Sequence, residues 1–110
     1  MGARRVIVAN RLTSYRQTIA IALRELCPEV EVFEADPDVL DGEVARLGPD
    51  LVICSRVTCM VEQSVTNWVE LYPDCKAYST FCVGGERRAL KEVQLSDLLS
   101  LCASPTQRVP

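Results

Sequence analysis

Short apolar runs alternate along the chain with segments whose apolar residues recur every three or four positions. Residues 5–9 (RVIVA) are rich in β-branched side chains and predict a buried strand. Ser14 followed by Gln17 is the capping-box signature of a helix start. Tyr15, Ile19, Ala22, Leu23 and Leu26 then fall on one stripe of that helix, which Pro28 ends. Residues 30–35 predict a second strand. Asp36-Pro37 places a cap residue and a first-turn proline before a short helix with Leu40, Val44 and Leu47 inward and Gly48 closing it. Residues 51–54 (LVIC) contain no polar side chain, the pattern of a parallel strand covered on both faces. Val61, Val65, Trp68, Val69 and Tyr72 repeat the stripe spacing and predict a third helix. Pro73-Asp74 then turns the chain into a fourth strand at about residues 75–79.

Strands alternating with helices imply a parallel sheet with right-handed crossovers. The last third allows two readings. Beyond Gly84-Gly85, either a fifth strand at residues 89–93 precedes a helix capped by Ser96, or residues 86–102 form one helix of good helix formers. The first is preferred, because the second leaves an apolar fourth strand as an open edge. The expectation is one α/β domain over residues 1–103, a disordered tail over 104–110, and no internal repeat.

Composition narrows the function classes. The 110 residues are the length of one domain, and 48% apolar residues supply a core without cross-links. A net charge of -3 and the lack of a Lys/Arg run argue against a nucleic-acid partner. No leader-like segment or bilayer-spanning apolar run is visible, so a cytoplasmic protein with no membrane partner is expected. Cys27, Cys54, Cys59, Cys75, Cys82 and Cys102 are scattered without a Cys-x-x-Cys pair, and there is no histidine. Neither a disulfide framework nor a zinc site is expected, and most of these thiols read as small buried hydrophobes.

The succession RVIVAN, YRQTIAIALREL, VEVFEA, GPDLVICS and YPDCKAYST, over roughly residues 4–80, resembles the receiver domains of bacterial response regulators. Pro49-Asp50 leading into four apolar residues is the most specific piece. LKEVQLSDLL is similar to the family's closing segment, with Lys91 at the place of its lysine, although Glu92 replaces the proline. The resemblance implies a doubly wound, flavodoxin-like domain with a parallel sheet of about five strands. The fourth helix is shortened or absent between Thr80 and Lys91. It also implies two-component signal transduction, in which acidic residues after the first strand hold Mg²⁺ and an aspartate after the third accepts phosphate. Here those places hold Ala9 and Asn10, then Ser55, while Thr80 (or Ser79) and Lys91 match positions that report phosphorylation. Mg²⁺ requires hard oxygen ligands, usually including carboxylates, and serine forms no acyl phosphate. The expectation is a pseudo-receiver without metal or cofactor. It would act through an unidentified protein partner or as a homodimer through its last strand and helix.

Two other chemistries are readable. Arg11 and Arg56 directly follow the first and third strand ends, where this fold type binds ligands, and with Asn10 and Ser55 they form a candidate anion site. Cys82-Val83-Gly84-Gly85-Glu86-Arg87-Arg88 fits Cys-x-x-Gly-x-x-Arg and resembles the phosphate loop of cysteine-dependent phosphatases, with Cys82 as nucleophile and Arg88 as clamp. Phe81 and Ala89 depart from that pattern, and Asp74 is the nearest upstream acid. Redox sensing by Cys54, Cys59 or Cys82 requires an exposed, acidic thiol.

Overall fold

The computed structural model describes residues 4–72 and 78–103. In chain order they form β1 (Arg4–Ala9), α1 (Thr13–Leu26), β2 (Val30–Glu34), a 3-10 turn (Pro37–Val39) running into α2 (Leu40–Leu47), β3 (Leu51–Cys54), α3 (Cys59–Ser64), β4 (Asn67–Glu70), β5 (Ser79–Val83), β6 (Glu86–Leu90) and α4 (Leu95–Ala103). The strands make one sheet in the order β2-β1-β3-β4-β5-β6. β1 pairs in parallel with β2 and β3, and β3 with β4. β5 is antiparallel to β4, and β6 to β5. The α/β expectation holds, but the sheet has six strands and is mixed, not five and parallel.

Strand pleating sends alternate side chains to opposite faces, and each face has its own cover. Val6, Val8, Leu51, Ile53, Val69 and Phe81 pack with Ile19 and Leu23 of α1 and Leu98 and Cys102 of α4. Ile7, Ala9, Val52, Cys54, Trp68 and Cys82 pack with Leu40 and Val44 of α2 and Val61 of α3. Helices therefore flank both faces. Cys27, Cys54, Cys82 and Cys102 are buried, in keeping with thiols used as small hydrophobes.

The predicted third helix is divided. Only Cys59–Ser64 is helical, and Asn67–Glu70 pairs with β3 in the register Leu51↔Asn67 to Cys54↔Glu70. Valine and tryptophan are modest helix formers and good strand formers, and β3 needs a partner on its second edge, so pairing overrides the stripe. The predicted fourth strand begins later: residues 75–77 lie outside the described residues, and β5 starts at Ser79. The predicted strand at 89–93 is displaced to Glu86–Leu90 and reversed relative to β5. Gly84 (φ +61°) and Gly85 (φ +90°) occupy the two positive-φ positions of a tight hairpin turn. No helix lies between Thr80 and Lys91. Glu86, Arg87 and Arg88 are exposed on the terminal strand, and such charge discourages edge-to-edge pairing.

Local signals fared unevenly. Asp36 caps the 3-10 turn by accepting from the Asp38 N–H at 2.9 Å, and Gly48 takes the left-handed closing position. The Ser14–Gln17 box does not form, because α1 begins at Thr13 behind Leu12 with no side-chain cap. In α4, Asp97, not Ser96, secures the start by accepting from the Gln94 N–H at 2.9 Å. On the α1 stripe Ile19 and Leu23 are buried, but Leu26 is 58% exposed.

Asp50 of the family-like Pro-Asp pair is bound both ways to β1. Its N–H donates to the Arg5 carbonyl at 2.8 Å, and its carboxylate accepts from the Arg5 N–H at 2.9 Å. Asp50→Ala is expected to lower the unfolding free energy by about 1 kcal/mol in urea titrations, the usual net worth of such a bond.

Candidate functional site: the crevice at the strand tips

β1, β3 and β4 point the same way, so their carboxyl ends share one rim, the usual ligand position in sheets of this kind. A crevice of about 500 Å³ opens there. Asn10, Arg11 and Leu12 enter it after β1, and Ser55 and Arg56 after β3. Leu71 and Tyr72 enter after β4, and Tyr15 projects from the first turn of α1.

Hydrogen bonds fasten these loops together. The Arg11 N–H donates to Ser55 Oγ at 3.0 Å, bridging the β1 and β3 ends. Arg16 donates from Nη1 to the carbonyls of Asn10 (3.1 Å) and Ala35 (3.4 Å), tying the ends of β1 and β2 to α1. Glu70 accepts from the Val57 N–H at 2.8 Å and holds the loop after β3. Tyr72 has φ 42°, a left-handed conformation that costs a non-glycine residue about 1–3 kcal/mol. Two bonds hold it: its N–H donates to Ser79 Oγ and its hydroxyl accepts from the Val93 N–H, both at 2.9 Å.

Asn10 is 1% exposed, and neither its amide oxygen nor its amide nitrogen has a hydrogen-bond partner. Such atoms are rare in folded proteins, because each costs about 1–3 kcal/mol. Burial, and then the neighbouring Tyr72 phenol, push the Tyr15 phenol up. Beneath the crevice, burial and then Glu70 push the Cys54 thiol up to about 12, against a lowering hydrogen bond from the Arg56 backbone.

The structure brings Asn10, Arg11, Ser55 and Arg56 to one crevice and leaves the other expected residues outside it. Ala9 is a core methyl on the α2/α3 side of the sheet. Thr80 lies opposite Glu70 on β5 and does not line the crevice. Lys91 follows β6 on the same rim, but β6 is three strand spacings from β3, ~14 Å at the usual separation. Leu12, Tyr15, Leu71 and Tyr72 are the functional candidates that sequence reasoning missed. Tyr15 and Tyr72 sit at stripe positions, where an aromatic ring reads as core, and a left-handed tyrosine leaves no sequence signature.

Cys82 and Arg88 do not form a phosphate loop. Cys82 lies within β5, buried, with Sγ 3.9 Å from the Thr66 carbonyl oxygen. Its cross-strand partner is Arg87, while Arg88 is paired with Phe81, so Cys82 and Arg88 face opposite sides of the hairpin. Arg87 is engaged with Glu62 at 2.8 Å and stacks over Trp68 at 5.4 Å. Asp74 and Cys75 lie outside the described residues. Of the three thiols considered for redox sensing, Cys54 and Cys82 are buried and Cys59 is exposed.

The strand tips do not fit the Mg²⁺ ion that the receiver resemblance implies. Ala9 offers no ligand, the Asn10 amide is closed over, and Ser55 Oγ is bonded to Arg11. Glu70 is committed to Val57, Asp36 to its cap and Glu34 to Arg24 at 3.4 Å. Among the described residues no group of three or more His, Cys, Asp or Glu side chains is placed to hold an ion, and none of their helices is long and apolar enough to cross a membrane. Comparison with family models, with curated proteins and with solved structures finds no match.

Proposed function

We propose that this chain is a receiver-like regulatory domain that takes up no phosphate and acts by contact with a protein partner in two-component-type signalling. The observation that carries this reading is the make-up of the strand-tip crevice. Two neutral polar residues, Asn10 and Ser55, and two arginines line it, at positions where the receiver resemblance calls for carboxylates around a metal. The order β2-β1-β3-β4, parallel and flanked by helices on both faces, supports the doubly wound part of the resemblance. The β5–β6 hairpin replaces the closing parallel unit and is the domain's own departure.

A cationic, carboxylate-poor crevice repels a divalent metal, and without an aspartate there is no acceptor for an acyl phosphate. Switching then depends on a partner or ligand that binds two conformations unequally. Incubation with labelled acetyl phosphate and Mg²⁺ is expected to leave the protein unlabelled under conditions that label an active receiver run alongside. Stoichiometric, Mg²⁺-dependent labelling would overturn the reading. For the partner, co-purification of one protein in fixed ratio, or dimeric sedimentation of the chain alone, is the expected result. A monomer that emerges unaccompanied from its native lysate counts against it.

A further inference from the structure

We propose that the strand-tip crevice binds an adenine nucleoside monophosphate, its phosphate between Arg11 and Arg56, its base against Tyr15 and Tyr72 and its amidine edge on the Asn10 amide. This rests on the regulatory reading above and supplies the small molecule that would shift the domain between states.

Four observations converge on that ligand. The crevice, at about 500 Å³, lies within the 300–1,000 Å³ of small-molecule sites. Its walls combine two phenol rings with Leu12 and Leu71, a surface for a flat, apolar body, and nucleic-acid bases stack on aromatic rings. Arg11 and Arg56 both line the crevice, from the loops after β1 and β3, and guanidinium groups favour the multiple oxygens of phosphate. The orphaned Asn10 amide leaves both its NH₂ group and its oxygen to place, and adenine offers a bidentate complement in its exocyclic amine and adjacent ring nitrogen.

Alternatives use only part of this. Inorganic phosphate engages the arginines and leaves the aromatic wall idle, whereas an uncharged aromatic leaves the cations idle. Tyr72 is held in a strained backbone conformation at this wall, and strain of this kind concentrates at ligand sites. Asn10 is closed over in the structure, so binding turns its amide toward the crevice. The turn is one of the side chain alone, because the Asn10 carbonyl is held by Arg16 and the following N–H by Ser55, while Arg11 and the 68% exposed Leu12 carry their side chains outside the core.

The test is calorimetric titration of the folded protein with AMP, GMP, adenosine and orthophosphate. AMP is expected to bind at least tenfold more tightly than either fragment, and more tightly than GMP, whose edge presents an oxygen in place of the amine. In Arg11→Ala/Arg56→Ala, AMP affinity is expected to fall at least tenfold while adenosine binding is unchanged. In Asn10→Leu, the melting temperature is expected to hold or rise, because two unpaired polar atoms are removed, while AMP binding is lost. A merely structural asparagine would instead lower the melting temperature. The assignment is overturned by no AMP binding at millimolar concentration, by GMP or orthophosphate binding as tightly as AMP, or by unchanged AMP affinity in the double arginine variant. Acetyl-phosphate labelling separates the two failures. A blank label with no AMP binding removes the ligand alone, whereas a positive label removes the regulatory reading.

Discussion

Trp68→Ala is expected to lower the unfolding free energy by about 3–5 kcal/mol, the range for removing a buried tryptophan from a packed core. Trp68 is 2% exposed and fills the α2/α3 side of the sheet beside Val52, Val61 and Cys82. It also occupies the second position of β4, so its loss weakens the strand that joins the parallel and antiparallel halves of the sheet. Domains of this size have about 5–15 kcal/mol in total, so the variant should unfold at much lower urea, followed by far-ultraviolet circular dichroism since the chain has one tryptophan. Arg87→Ala, which removes only the cation above the ring and an exposed ion pair with Glu62, is expected to cost about 1 kcal/mol or less. Equal losses in the two variants would contradict the placement of Trp68 in the core.

Stability should also decline steeply in alkali. Burial, then Glu70, pushes the Cys54 thiol up to about 12, and burial, then Cys27, does the same for Cys102. In the unfolded chain both titrate near the ordinary 9.0. Below about pH 8 both states keep their protons and these thiols confer no pH dependence. Between pH 9 and 12 the unfolded chain releases protons that the folded chain retains. The unfolded state then binds fewer, and stability falls as pH rises. The slope rises toward about 1.4 kcal/mol per pH unit for each thiol as the unfolded thiols ionise, so the pair removes about 3 kcal/mol between pH 9 and 10.5. Tyr15, also raised, acts in the same direction at higher pH. Urea midpoints across this range measure the slope, and Cys54→Ala/Cys102→Ala should flatten it even though its stability at neutral pH is lower. A slope unchanged in that variant would place the effect elsewhere.

The first half of the fold was legible because each element there carries its own short-range signal. β1 carries the apolar run of residues 6–9, β3 is apolar throughout, Asp36-Pro37 caps, and Gly48 closes α2. The second half was not, because its decisive interactions are long-range. Val65, Trp68 and Val69 satisfy a helical stripe as well as a strand, and only the open edge of β3 selects the strand. The same holds for Gly84-Gly85. Two adjacent glycines mark a turn, but whether the chain returns as an antiparallel neighbour or enters a helix depends on the surface waiting for it. The Cys82–Arg88 spacing therefore had a motif without the geometry to use it. At the crevice, Asn10, Arg11, Ser55 and Arg56 could be placed because they directly follow strand ends. Tyr72 could not, since the groups that hold its N–H and its hydroxyl, Ser79 and Val93, come from elsewhere in the chain.

The clamp formed by Arg16 has a mechanical consequence. Its guanidinium grips the backbone of Asn10 and Ala35 while its own backbone belongs to the opening turn of α1. Whatever shifts the crevice floor must therefore carry that turn with it. A helix of 14 residues is a stiff rod of ~21 Å, so a tilt begun at one end arrives at the other. There Leu26, and Ile21 on the way, stand in solvent. A change at the strand-tip loops is thus tied mechanically to the pose of a helix whose far end reaches solvent.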